Sequence, residues 1–295
     1  MSLLSIVTPT YNRVSYLRQC FASLKAQTDL RFEWIVVDDG STDGTGETVA
    51  AFQAGQPPFP IRYLYQENGG KHRALNAAHP LIRGDWVLVL DSDDRLIPTA
   101  VERIHWGWET YGTAGVGIVI FLEGAAISEP FAVGRREGVP LDMYRSHIKP
   151  IRHRDCCDVY LAEAFLKYPY PEFAGEKFLS ESILWNRMAP DYQIVYCNEV
   201  LYLAEYLETG LTRSGRPMRI SVPQGGMYAA NLYLDRRYPL KLRLKNGLLY
   251  NCYSLFAAVP RSEALSQALS KPVACLTRPG GWLLYRNWKK KYENC

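Results

Sequence analysis

With 295 residues, 47% apolar and 22% charged, the chain is long enough to bury a full core and too apolar to be disordered. No apolar run approaches the roughly 20 residues that a membrane-spanning helix needs. The net charge of +4 hides an asymmetry: residues 211–295 hold 15 Lys/Arg and 3 Asp/Glu, and residues 1–210 hold 19 and 27, so an acidic body carries a basic end.

Leu3 to Pro9 reads as the first strand. Ser15 is expected to cap a helix that carries Leu17, Cys20, Phe21 and Leu24 on one buried face. Phe32 to Val37 is the second strand, ending at Asp38-Asp39, and the loop Asp39-Gly-Ser-Thr-Asp-Gly-Thr45 demands turns. Asp43 or Thr45 is expected to cap a helix near Thr48 to Ala54. After the stiff connector Gln56-Pro-Pro-Phe-Pro60, Ile61 to Tyr65 is a third strand, and Asn68-Gly-Gly-Lys-His-Arg73 turns into a helix with Leu75, Ala78 and His79. The stretch Trp86-Val-Leu-Val-Leu-Asp-Ser-Asp-Asp94 follows. Its apolar run lacks alternation, as expected of a central strand covered on both faces.

This β-α-β-α-β-α-β order within about 90 residues predicts a parallel sheet with helices on both faces. Ligands of such sheets bind beyond the strand C-termini, where Asp91, Asp93 and Asp94 fall. Two carboxylates about 4 Å apart repel by roughly 4 kcal/mol at an effective dielectric near 20, and a hard divalent cation relieves that. The same residues could instead make a turn or cap a helix near Leu96. Neither a Gly-x-Gly-x-x-Gly dinucleotide loop nor a Gly-x-x-x-x-Gly-Lys-Ser/Thr phosphate loop is present.

Four motifs now stand in order: Ser5-Ile-Val-Thr-Pro-Thr-Tyr-Asn12, Trp34-Ile-Val-Val-Asp-Asp-Gly-Ser-Thr-Asp-Gly-Thr45, Asn68-Gly-Gly-Lys71 with Ala74-Leu-Asn76, and Asp91-Ser-Asp-Asp94. Over residues 3–125 the chain resembles family 2 glycosyltransferases of the GT-A fold. A looser likeness to bacterial members used in polysaccharide assembly runs through Gly175-Glu-Lys-Phe-Leu-Ser-Glu-Ser182 and Asn198-Glu-Val-Leu-Tyr202. The resemblance implies an α/β fold with a mostly parallel sheet flanked by helices, followed by a helical C-terminal extension. The domains it implies are 1–215, split into a donor half 1–125 and an acceptor half 126–215, and the extension 216–295.

It further implies a nucleotide-diphospho-sugar donor, most often a UDP-sugar, a divalent metal (Mn or Mg), and a glycan or lipid-linked acceptor. Carried over residue by residue, Pro9, Thr10, Tyr11, Asn12 and Asp39 hold the nucleoside. Asp91 with Ser92 faces the ribose and the metal shell, and Asp93 is the direct metal ligand. Lys71 and Arg73, at an expected helix N-terminus, suit a diphosphate. Tyr11 could instead be a packing residue, and Arg13 a solvated charge. An inverting transfer needs a base on the acceptor side; Glu181 is the first candidate and Glu176 the second, although a Glu181-Ser182 pair replaces the family's Glu-Asp. Arg213, in a glycine-bearing loop, could touch phosphate or be an ordinary loop arginine.

Asp155-Cys-Cys-Asp158 reads as a wall of the acceptor pocket rather than a metal cluster, because adjacent strand residues point to opposite faces. The five histidines show no ligand spacing on one helix. Seven scattered cysteines with no Cys-x-x-Cys pair argue against a disulfide framework and fit a reducing cytoplasm, and no signal peptide is expected. Met227 to Tyr238 and Leu240 to Ala258 read as helices, and Pro279 to Tyr292 mixes aromatics with cations. That mixture suits peripheral attachment to the inner face of a membrane, with plain helix packing as the alternative; no nucleic-acid partner is expected. The reading is a metal-dependent inverting glycosyltransferase, set against a catalytically inactive nucleotide-sugar or glycan-binding module.

Overall fold

The computed structural model describes residues 2–132, 136–146, 156–204 and 215–292. The described residues form two compact units: residues up to 170 with 188–204, and residues 171–187 with 215–292. The division therefore differs from the expected one after residue 215. The segment 171–187, expected within the acceptor half, belongs with the C-terminal helices. Arg213, His147, His153 and Asp155 lie outside the described residues.

The first unit opens as expected: β1 (Leu4–Thr10), α1 (Val14–Lys25), β2 (Phe32–Asp38), α2 (Thr45–Ala54), β3 (Ile61–Tyr65), α3 (Lys71–Ala78), then β4 (Trp86–Val89). Short β5 (Arg95–Leu96) and α4 (Ala100–Tyr111) follow, then the long β6 (Val116–Ala126), β7 (Glu129–Pro130), β8 (Leu141–Asp142), α5 (Met143–Ser146), β9 (Cys157–Leu161) and α6 (Ala162–Lys167). Helix α7 (Ser182–Met188) precedes β10 (Gln193–Leu203), which returns to the sheet. The strand order is β3-β2-β1-β4-β9-β6-β10-β5. β3, β2, β1 and β4 run parallel, β9 is antiparallel to both neighbours, and β6 and β10 pair in parallel.

β1 and β2 are buried along their whole length, and β4 lies between β1 and β9, which explains its unbroken apolar run. Phe21 of α1 stacks on Phe52 of α2 and on Trp34 of β2, closing one helical layer over the sheet. At the strand ends remote from Asp91, buried Glu33 accepts hydrogen bonds from the Ser5 hydroxyl (2.7 Å), the Arg83 N–H (2.8 Å) and the Arg62 guanidinium (2.9 Å). A buried acid is tolerated there because both of its oxygens are engaged.

Two caps differ from expectation. α1 starts at Val14, and its first N–H is held by Asp43 (2.9 Å) rather than by Ser15. α2 begins after Gly44, and Asp43 serves both helices: one oxygen takes the Val14 N–H of α1 while the other accepts from the hydroxyl of Thr45, the first residue of α2 (2.6 Å). The alternative of a helix near Leu96 is also set aside, because Leu96 is in β5, paired with β10, and α4 begins only at Ala100.

The second unit is helical: α8 (Gly215–Ser221), α9 (Pro223–Leu232), α10 (Leu240–Phe256), α11 (Arg261–Gln267) and α12 (Lys271–Tyr292). The two expected helices are α9 and α10, although α9 begins earlier and ends earlier than Met227 and Tyr238. Its core gathers Met227, Leu234, Tyr250, Tyr253, Val273 and Trp288. α10 and α12 approach closely because Gly281 faces Asn251 and Gly247 faces Thr277; a Cβ at Gly281 would come within 2.5 Å of the Asn251 Cβ. Asn251 bridges the two helices, donating to the carbonyls of Gly247 and Ala274 (2.9 Å each). Among the described residues, no helix is long and apolar enough to cross a membrane.

Candidate active site

The C-terminal ends of β1, β2 and β4 lie side by side in register, so the loops that follow them meet at one sheet edge. After β1, Asn12 takes a left-handed backbone (φ 51°). Its N–H donates to the Ser41 hydroxyl (2.9 Å), and its side-chain oxygen accepts from the Thr42 N–H (2.8 Å). This ties the Pro9-Thr10-Tyr11-Asn12 segment to the loop after β2. Pro9 and Thr10 are buried, and the Tyr11 ring is 49% exposed.

Asp39 is buried and saturated. One oxygen accepts from Gln66 (2.6 Å) and the Gly69 N–H (2.8 Å), the other from the Gly70 N–H (2.7 Å) and Asn68 (3.2 Å). A carboxylate offers about four lone-pair sites, and all are used to shape the 66–70 turn. That turn needs its glycine: Gly70 stands at φ 96° and precedes α3. It sets the first residue of α3, Lys71, with its ammonium 2.5 Å from an Asp91 oxygen. The Arg73 side chain lies over Gly69, where a Cβ would come within 2.7 Å of its Cδ.

After β4 the chain makes a tight turn, with the Asp94 N–H donating to the Asp91 carbonyl (3.0 Å). Tyr202 of β10 fixes that turn. Its hydroxyl accepts the Asp91 N–H (2.9 Å) and donates to the Asp94 carboxylate (2.9 Å). Carboxyl oxygens of Asp91, Asp93 and Asp94 lie within 4.8 Å of one another, and among the described residues this is the one such cluster of His, Cys, Asp or Glu. Ser92 between them is buried. The Arg13 guanidinium, for which the sequence leaves a solvated charge as one alternative, is ion-paired with Asp93. Burial, then the charges of Asp91 and Asp93, push the Asp94 carboxyl up to about 7. Burial likewise pushes the Tyr202 hydroxyl far up. Three hard oxygen donors within reach of one another, one of them raised first by burial and then by its two acidic neighbours, fit a divalent cation.

The candidate bases belong to the second unit. Glu176 is buried, and its two oxygens accept the N–H groups of Gln224 and Gly225 (2.7 Å each). Pro223 has no N–H, so Glu176 takes the next two donors at the start of α9. Its carboxylate is a helix cap, and the expectation of Glu176 as a second base gives way to that. Glu181 is exposed and stands immediately before α7, as the apolar pattern of Ile183, Leu184 and Trp185 predicts. The described histidines do not gather: His105 is buried with one ring nitrogen on the Arg31 carbonyl (3.1 Å), and burial lowers its pKa. Cys157 is buried in β9, which pushes its thiol well up.

Sequence reasoning missed Tyr202, Gln66 and the pairing of Arg13. Tyr202 sits more than a hundred residues from the turn it holds, in a strand whose pattern reads simply as apolar. The place of β10 in the sheet, paired with β6 on one side and β5 on the other, brings it there.

The profile of Glycosyl transferase family 2 matches residues 5–159, a little over half of the chain. Glycosyltransferase GlyG of Streptococcus pneumoniae is 38% identical over 104 residues, 35% of this chain and 34% of GlyG; the chain thus spans about a third of the length of that relative. Across nearly the whole chain the structure is similar to TarS of Staphylococcus aureus, residues 1–349, solved with UDP-GlcNAc (TM-score 0.64, 18% identity, 99% of this chain and 91% of that one). It is also similar to the mannosyltransferase PcManGT of Pyrobaculum calidifontis, solved with GDP-Man and Mn2+ (TM-score 0.59, 18% identity, 100% and 88%). At these identities the likeness shows the fold, which is the GT-A fold expected above.

Proposed function

This chain belongs to glycosyltransferase family 2, and on that premise we propose that it transfers a sugar from a nucleoside-diphosphate donor to a hydroxyl of a glycan or lipid-linked acceptor. The donor is a UDP-sugar, as in the TarS complex, and the product serves cell-surface polysaccharide synthesis. The observation that carries the reading is the gathering of three carboxylates and a helix N-terminal lysine at one sheet edge.

Asp93 and Asp91 would hold the divalent ion, with Asp94 as the third donor; PcManGT was solved with Mn2+. Such an ion, when bound, neutralises the charge that grows on a departing diphosphate. Lys71 and the first N–H groups of α3 supply further positive potential to that diphosphate, with Arg73 beside them. Tyr11 offers an exposed ring to pack on the base, beside Pro9, Thr10 and Asn12. Asp39 acts by holding the 66–70 turn, so its contribution to donor binding runs through Lys71. Inversion requires the acceptor oxygen to attack the anomeric carbon as the bond to the diphosphate breaks. Glu181 is the proposed base that takes the hydroxyl proton. The described cysteines are free thiols, which suits a cytoplasmic reaction.

Donor hydrolysis over a panel of UDP- and GDP-sugars, with manganese or with a chelator, tests this. One sugar should be released in a manganese-dependent manner. Asp93→Asn should lower that rate by about a hundredfold or more, and Glu181→Gln should spare donor binding while slowing transfer. Tight donor binding with no turnover on any acceptor would favour the inactive binding module. No donor binding at all would end the proposal.

A further inference from the structure

The transfer reading leaves one surface unused. Helix α12 runs 22 residues without an acidic side chain, and six of them are cations: Lys271, Arg278, Arg286, Lys289, Lys290 and Lys291. One face packs on α10 through Val273, Ala274, Thr277, Gly281 and Trp288. The opposite face carries Leu276, Trp282 and Leu283, which are 71%, 46% and 61% exposed. Leu276 and Leu283 are two turns apart on the same stripe, and Arg286 and Lys290 continue it. The Arg286 guanidinium lies 4.9 Å from the centre of the Trp282 ring, so cation and aromatic share one patch.

A solvated basic face has no use for three large apolar side chains, and an ordinary apolar contact has no use for Arg286 and Lys290 on the same stripe, with further cations flanking it. Three occupants can be compared by charge. In a two-fold dimer this face would meet itself, setting cations against cations. A nucleic acid would use the cations and leave Leu276 and Leu283 in water. An anionic lipid surface uses both: the leucines and Trp282 enter the headgroup boundary while the lysines and arginines reach phosphate. We infer that the exposed face of α12 docks on an anionic phospholipid surface, lying in its plane. This inference is independent of the donor chemistry proposed above and would survive its failure.

The test is co-flotation of the full chain with phosphatidylcholine vesicles, with and without about one-third phosphatidylglycerol. Wild type is expected to partition onto the anionic vesicles about tenfold more than onto neutral ones, with the excess lost at high salt. The combined variant Leu276→Gln, Trp282→Gln, Leu283→Gln should lose about tenfold in partition with an unchanged melting temperature, since all three side chains are exposed. Lys289→Gln, Lys290→Gln, Lys291→Gln should remove the preference for anionic lipid. Equal binding to both vesicle types, or wild-type binding by the apolar variant, overturns the inference. So does light scattering that shows a dimer lost in the apolar variant while no vesicle binding occurs, which would give the face to a second copy. Binding only to nucleic acid would overturn it equally.

Discussion

Asp39 accepts four hydrogen bonds, all of them from the 66–70 turn that delivers Lys71. Replacing it with the isosteric asparagine turns one acceptor into a donor that faces donors. Asp39→Asn is therefore expected to cost about 2 kcal/mol in denaturant unfolding and to weaken donor affinity as the turn loosens. A direct base contact alone would predict lost affinity at unchanged stability, so the two measurements separate the roles. Tyr202→Phe removes one hydroxyl that serves two partners. It should cost about 1–3 kcal/mol of stability, because the Asp91 N–H and the Asp94 carboxylate lose their shared partner. It should also weaken manganese binding about tenfold, read by the loss of free-ion signal in electron paramagnetic resonance.

At the scale of the element, the α10–α12 crossing rests on absent side chains. Gly281→Leu forces a branched chain against the Asn251 Cβ and the Leu248 carbonyl. It is expected to cost about 1–3 kcal/mol or more, seen as a lower melting temperature for the helical unit. The elements themselves were largely legible in sequence: β1 to β4 and α1 to α3 follow their apolar periods, with α2 beginning three residues before its expected start. Helix ends were less so. A carboxylate caps whichever N-terminus lies near it in space, and Asp43 serves α1 while Glu176 serves α9. Local spacing predicts only the nearest helix. The acidic turn was readable because its members are consecutive. Tyr202 was not, because its partnership depends on the place of β10 in the sheet.

For the whole molecule, the chain visits its second unit twice, first with 171–187 and again with 215–292. Composition could not reveal this: the first visit carries none of the basic bias that marks the second. A chain ended after residue 204 would keep Glu176 and Leu179 but lose Gln224 and Gly225, which face them. Limited proteolysis of that fragment is expected to cut first within 171–187, while the same segment in the full chain resists.

During translation the first of these segments leaves the ribosome about a hundred residues ahead of the last helix. At about 5–20 residues per second, Leu179 and the Glu176 carboxylate spend some 2–10 s without Gln224 and Gly225, which follow about 50 residues later. A chaperone that holds nascent chains would find its footing in that interval, at 171–187, rather than on the sheet already assembled upstream.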